Sequence, residues 1–329
     1  MLYNNLSGYL KNKYGKRLKK ICVDGGFSCP NRDGKVGFGG CIYCSERGSG
    51  EHISGGVSIK EQVERGLLGT SSLDGFIVYF QNFTNTYADI ETLRRRYDEA
   101  LIDERIKILA IGTRPDCIDE GVAELIASYK EKVDVWVELG LQTASDETAR
   151  IINRGYESSV YLKAAEILNR YKIDTVTHLM IGLPGESDEE LCESVKLVNK
   201  AKPFGIKIHS VYVAEGTYLA KMYREGKYTP IERDTYTDRA LYVLTHISPD
   251  TVVHRITGDC PKNMLVAPEW NLDKNAVISE INAKMERLVV KQGCFYEESI
   301  ISVTKAISEF KRTSSFTESG CERPPLKRI

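Results

Sequence analysis

The feature that most constrains this fold is a repeat in which six short apolar runs, rich in β-branched and aromatic residues, alternate with segments of helical period. The runs are LKKICVDGG from residue 18, FIVYFQ from 76, IKILAIGT from 106, VDVWVELGL from 133, DTVTHLMIGL from 174 and GIKIHSVYV from 205. Helix-period segments lie between them at about 58–69, 89–103, 119–130, 159–171 and 187–201. Asp119, Asp146 and Ser187 are placed to cap helix N-termini, and Glu190, three residues after Ser187, completes a capping-box spacing. Near-continuous apolar strands separated by helices imply a parallel sheet covered on both faces. Six such units predict an α/β fold, an open or closed βα barrel whose chemistry sits at the C-terminal strand ends and in the loops that follow.

At 329 residues with 42% hydrophobic content, the chain can bury a large core and carry a smaller appendage. Composition divides it into a basic N-terminal arm at 1–20, a barrel core at 21–250, a C-terminal closing segment at 251–295 and an extension at 296–329, expected to be partly disordered. The arm carries Lys11, Lys13, Lys16, Arg17, Lys19 and Lys20 without an acid, a charge of +6 inside a net charge of −1. Such a segment suits a polyanion, and equally a solvated terminus. No apolar run approaches the roughly 18 residues of a membrane span, and the first residues lack an apolar signal stretch. A cytoplasmic location and no membrane partner are expected, so the nine cysteines are expected to be reduced thiols.

Six cysteines stand singly, whereas Cys29, Cys41 and Cys44 share the stretch GFSCPNRDGKVGFGGCIYCSERGSGEH, which holds seven glycines and directly follows the first apolar run. Three is the informative number. A structural zinc site takes four protein ligands, whereas a [4Fe–4S] cluster held by three thiolates leaves one iron open. The Cys41–Cys44 pair brings two sulfurs together in one turn, and the eleven residues after Cys29 form a glycine-rich excursion to the third. Zinc with His52 as fourth ligand remains an alternative. A redox dithiol fits less well, because the Cys-x-x-Cys pair does not lead from a strand into a helix. No second Cys-x-x-Cys occurs, so no auxiliary cluster is expected.

With these residues in view, the chain resembles the radical S-adenosylmethionine (SAM) enzymes. The usual family motif separates its first two cysteines by three residues; the longer gap here is shared by the branch containing the elongator catalytic subunit and the bacterial YhcC/YtqA-like, or MnmL-type, proteins. TRPDCID, VELGLQTASDETARIINRGY and HLMIGLPGES resemble elongator-type segments, while SCPNRDGKVGFGGCIYC, YFQNFTNTYA and HRITGDCPKNMLVAPEW resemble the YhcC/YtqA branch. The likeness covers about residues 15–275. It implies a partial (β/α)6 TIM-like radical-SAM barrel, a [4Fe–4S] cluster on Cys29, Cys41 and Cys44, SAM chelated by the open iron, and a reductant such as flavodoxin or ferredoxin. The reduced cluster would cleave SAM to a 5′-deoxyadenosyl radical, which takes a hydrogen atom from the substrate.

The resemblance also implies SAM contacts. Tyr43 takes the aromatic position before the last cysteine, against adenine. Gln81, Asn82 and Thr84 stand where relatives carry a glycine-rich turn, although no glycine is present here. Gln142 and Arg154 match positions for the methionine portion or ribose, and His178 matches a polar residue presented by the fifth strand. Gly182, Pro184 and Gly185 shape the turn after that strand. Arg255, Asp259 and Cys260 could line the substrate side, with Cys260 as a hydrogen or electron donor. The implied substrate is tRNA at its wobble uridine, where a carboxymethylaminomethyl side chain becomes aminomethyl, with Lys16, Arg17, Lys19 and Lys20 on the phosphates. A protein or metabolite substrate, or a noncatalytic metal-stabilised RNA-binding module, are the alternatives.

Overall fold

The computed structural model describes residues 1–48, 50, 53, 56–71 and 74–296. His52 and most of the C-terminal extension lie outside the described residues. In chain order the elements are α1 (Leu6–Tyr14), β1 (Leu18–Val23), α2 (Ile59–Leu67), β2 (Gly75–Phe80), α3 (Ile90–Asp98), β3 (Ile106–Thr113), α4 (Glu120–Ser128) and β4 (Asp134–Gln142). They continue as α5 (Asp146–Ile151), α6 (Ser158–Arg170), β5 (Asp174–Ile181), α7 (Asp188–Ala201), β6 (Gly205–Ser210) and β7 (Val213–Ala214). The last are α8 (Tyr218–Arg224), α9 (Arg233–His246), β8 (Val252–Arg255), β9 (Leu265–Ala267) and α10 (Lys274–Leu288).

Seven strands pair in the order β1-β2-β3-β4-β5-β6-β8, every neighbour parallel. The six expected strands all form. The sheet is a partial barrel with β1 and β8 as its edges, and the seventh strand comes from the segment expected only to close the fold. Its four residues are too few to show a period. The sixth strand ends at Ser210, short of the run, whose last residue, Val213, opens β7, which pairs antiparallel with β9. Ser187 and Glu190 make the reciprocal capping box and Asp119 caps α4, but Ser145, not Asp146, caps α5.

Alternation explains the two cores. Outward-facing Val78, Phe80, Leu109, Ile111, Val137 and Leu139 pack under the helices with residues such as Leu93, Val122, Leu168 and Val195. Inward-facing Ile77, Tyr79, Ile108, Ala110, Trp136 and Val176 form a second cluster, closed by Leu6, Tyr9, Leu10 and Tyr14 of α1. This is a packed floor, which leaves the other end of the barrel interior for chemistry. Among the described residues, no helix is long and apolar enough to cross a membrane.

The segment expected as a basic arm is therefore built into the barrel. The Asn5 side chain accepts from Gly8 N at 2.8 Å to start α1, and Gly15, in the left-handed region at φ +70°, ends it. Val253 N donates to Asn4 O at 2.7 Å, running the first residues along β8. Lys13 pairs with Asp134 at 2.7 Å, and Lys19, already in β1, pairs with Asp74 at 2.6 Å. Leu10 is 3% exposed, so Leu10→Ala is expected to cost about 2–4 kcal/mol in denaturant unfolding. A free arm would give no loss.

Candidate active site

The cysteine loop leaves β1 and is held by its own backbone. Cys29 O accepts from Arg32 N at 2.8 Å, Pro30 O from Val36 N at 2.8 Å, and Cys44 N donates to Cys41 O at 3.0 Å. Gly39 and Gly40 both lie at φ +78°, where other residues are strained, and they turn the chain back toward Cys41. The loop is then bolted to the segment after α5. Ile42 N donates to Ile152 O at 3.1 Å, Asn31 Nδ2 to Asn153 O at 2.5 Å, and Asn153 Nδ2 to Gly40 O at 2.7 Å.

That segment is fixed in turn to β3 and β4. Arg154 is fully buried; its Nη1 donates to the carbonyls of Leu141 at 2.5 Å and Thr143 at 2.7 Å, and its Nη2 to that of Tyr156 at 2.8 Å. Arg114, paired with Asp116 at 2.7 Å, donates to Arg154 O at 2.9 Å. Both guanidinium groups lie over the Tyr156 ring, at 4.7 Å for Arg114 and 4.5 Å for Arg154. The Tyr156 hydroxyl reaches Gly140 O at 2.6 Å and Gln142 Oε1 at 3.0 Å, fixing Gln142 at φ +62° on the strand end.

A cavity of about 840 Å³ opens at the C-terminal strand ends and extends into the barrel. Cys29, Cys41 and Cys44 all line it, with Tyr43, Gln81, Thr84, Gln142 and His178. Three other expected contacts are placed elsewhere. Arg154 is behind the wall, where its donors hold backbone carbonyls. Asn82 is 3% exposed and donates to Asp24 Oδ2 at 3.1 Å, bracing the loop. Cys260 is buried and off the cavity wall, although neighbouring Asp259 and Arg255 are on it. Of the four cations assigned to phosphates, Lys16 and Arg17 precede β1, whereas Lys19 and Lys20 lie in it and border the cavity.

Sequence reasoning named His178 but passed over Glu138, Lys207 and His209, which line the same cavity. Glu138 on β4 is 2% exposed, contacts Lys207 of β6, and receives His178 Nε2 at 2.8 Å. Burial alone would raise its carboxyl, but the Lys207 charge and the His178 hydrogen bond hold it well below the ordinary 4.5. Burial lowers His178 and His209, whose rings lie 5.0 Å apart. The signal was present: Glu138, His178, Lys207 and His209 interrupt apolar strands at inward-facing positions.

Comparison with known proteins decides the family. A model described as the radical SAM superfamily matches residues 31–198, and one described as the radical SAM C-terminal domain matches residues 203–287. The chain belongs to the radical SAM superfamily. It is 36% identical to the uncharacterised protein YtqA of Bacillus subtilis (strain 168) over 304 residues, 90% of this chain and 93% of that one. Over 156 residues it is 30% identical to a tRNA uridine(34) acetyltransferase of Dehalococcoides mccartyi (strain CBDB1), which covers 46% of this chain and 33% of that protein. Among solved structures it is similar in fold to archaeal Elp3 from Methanocaldococcus infernus, with a TM-score of 0.60 at 22% identity, covering 74% of this chain and 63% of the other.

Membership in this radical SAM family carries a [4Fe–4S] cluster and SAM as cofactors. The residues fit both. The hydrogen bond between the two thiols lowers Cys41, helped by the Arg114 charge, and together with burial raises Cys44, so the pair favours one thiolate, at Cys41, toward a metal. Among the described residues, no three His, Cys, Asp or Glu side chains are grouped around one ion. Thiolates for a cubane serve separate irons and need no such grouping. Thr84 Oγ lies buried on the cavity wall without a partner, an orphaned group that a polar ligand would satisfy. Gly112 and Gly140 keep the strand ends bare; a Cβ at Gly140 would lie 2.4 Å from Gln142 Nε2.

Any one of Cys29→Ala, Cys41→Ala or Cys44→Ala is expected to abolish the roughly four irons and the broad absorbance near 400 nm of anaerobically reconstituted protein. Stoichiometric zinc without iron would contradict this. Lys207→Met leaves Glu138 as a buried uncompensated charge and is expected to cost about 3–5 kcal/mol of stability, with much of it restored by adding Glu138→Gln. Because the Glu138 pKa is lowered on folding, its contribution is full above 4.5 and fades as pH falls through the folded value. The difference in stability between parent and Glu138→Gln, measured across that range, should shrink accordingly.

Proposed function

We propose that this radical SAM enzyme modifies the wobble uridine of tRNA, converting a carboxymethylaminomethyl side chain on carbon 5 to aminomethyl. The observation that carries the reading is one continuous cavity running from the three cysteines to a charged inner end. Its volume of about 840 Å³ lies toward the upper end of the roughly 300–1,000 Å³ of small-molecule sites, space for SAM with a nucleobase beside it. The likeness to a tRNA uridine(34) acetyltransferase supports the same nucleotide.

When bound, the cluster and SAM supply a 5′-deoxyadenosyl radical able to remove a hydrogen atom from a methylene of the side chain. The chain's own residues do the rest. Cys29, Cys41 and Cys44 would hold the cluster. Tyr43, Gln81, Thr84 and Gln142 line the space for SAM, and Arg154 positions Gln142 through Tyr156. The packed floor and α1 shut water out from the other end. A flavodoxin or ferredoxin would supply electrons, and the protein would work in the cytoplasm. The base must leave the anticodon-loop stack to enter, which a single-stranded loop permits.

Lys16 and Arg17 are then the phosphate contacts. They lie one strand length, about 20 Å, from the cysteine loop, a span the anticodon arm can bridge. Nucleoside mass spectrometry of tRNA from a deletion strain is expected to show the carboxymethylaminomethyl nucleoside accumulating and the aminomethyl nucleoside lost. An unchanged profile would move the assignment to a protein or metabolite substrate. Replacing Lys16 and Arg17 with Gln should weaken tRNA binding and reduce the slope of log K against log salt by about 1.5–2.

A further inference from the structure

The inner end of the cavity carries positive charge that the protein does not neutralise. Glu138 is committed to Lys207 and His178. Asp259 contacts Lys274 closely and lies 3.7 Å from Arg255. Lys20, from the edge strand β1, makes no ion pair among the described residues; its Nζ lies 5.2 Å from the centre of the Tyr79 ring. Lys207 Nζ lies 4.4 Å from the same ring. Arg255 comes from the opposite edge strand, β8, and its charge and that of Lys20 are both felt at Lys207. Arg255 lies opposite Lys207 in the β6–β8 register, so Lys20 and Arg255 bring cations from the two edges of the open sheet toward Lys207 on one cavity wall.

We propose that this end of the cavity receives a carboxylate of the substrate, bound by Lys20 and Arg255 above the fixed Lys207–Glu138 pair. The inference rests on the wobble-uridine reading, which supplies the carboxylate as the far end of the carboxymethylaminomethyl side chain. An arginine fork suits a planar carboxylate, and partial burial strengthens its bond. Arg255 is 35% exposed on its side chain, open to a ligand yet shielded from bulk solvent. A phosphate of the RNA backbone would satisfy the same cations, but an extruded base carries its carbon-5 substituent inward and leaves its phosphates at the mouth. Lys20 and Arg255 are thus substrate-positioning residues that select the carboxylated nucleotide over its product.

The test uses reconstituted full-length protein with SAM, and tRNA bearing either the acid or its methyl ester at the wobble side chain. The parent is expected to bind the acid at least about tenfold more tightly than the ester, and Lys20→Met and Arg255→Met should each erase most of that preference. Both keep an aliphatic stem, Lys20 is exposed, and Asp259 retains Lys274, so iron content and melting temperature should stay near those of the parent. Equal binding of acid and ester by the parent overturns the inference. So does equal weakening of both tRNAs in the variants, which would assign the cations to a backbone phosphate. The free acid and ester nucleosides, tested on the same proteins, separate the two readings. If the parent prefers the acid nucleoside and the variants do not, yet no tRNA product forms, the tRNA assignment fails and the carboxylate site stands.

Discussion

The buried guanidinium of Arg154 is the interaction on which the site depends. A fully buried cation is costly unless its donors are used, and here they close onto the carbonyls of Leu141, Thr143 and Tyr156. The two residues before it, Ile152 and Asn153, hold the cysteine loop by four hydrogen bonds. Its own carbonyl receives Arg114 from beyond β3. One short segment therefore ties the metal loop to two strand ends. Gly155 allows the close approach: it sits at φ +82°, and a Cβ there would lie 2.9 Å from both Asn31 and Val36 side chains.

This changes how the Asn-Arg-Gly-Tyr stretch acts. An arginine beside a SAM cavity invites assignment as a carboxylate ligand, but no part of Arg154 is exposed. Its link to the cavity passes through Tyr156, whose hydroxyl meets Gln142 on the wall. Arg154 is a positioning residue, and removing it would strip partners from buried carbonyls before it altered any ligand contact.

The strands were legible because each is a run of β-branched and aromatic residues, and burial on both faces leaves little polar interruption. The cysteine trio stood out by number and spacing, and the fold brings all three to one cavity. Other features depend on long-range contacts that no local pattern carries. The first residues looked like an arm because six cations and no acid stand between residues 11 and 20, yet Leu6 and Leu10 at i and i+4 were the stripe that closes the barrel floor. β8 is only four residues long, and its pairing with β6 follows from the whole sheet rather than from its composition. Which of the polar residues face the cavity was readable in part, since Glu138 and Lys207 break apolar strands at inward positions.

The two ends of the cavity are built by different physics, and the difference follows from what each must hold. At the cysteine end, backbone hydrogen bonds and left-handed glycines fix the loop, because metal ligands must be placed before the metal arrives and side-chain freedom would blur them. At the inner end, fixed charges do the work. Glu138, Lys207 and His178 form a satisfied network that cannot rotate away without stranding a buried charge. It leaves Lys20 without an ion pair among the described residues and Arg255 only 3.7 Å from the Asp259 carboxylate that Lys274 already holds. On the proposed reading, a ligand without negative charge leaves the excess of cations at this end unanswered, which disfavours the wrong occupant as attraction favours the right one. Under the proposal, selectivity at this end follows from the excess of cations over carboxylates on the cavity wall, whereas the cysteine end depends on backbone geometry.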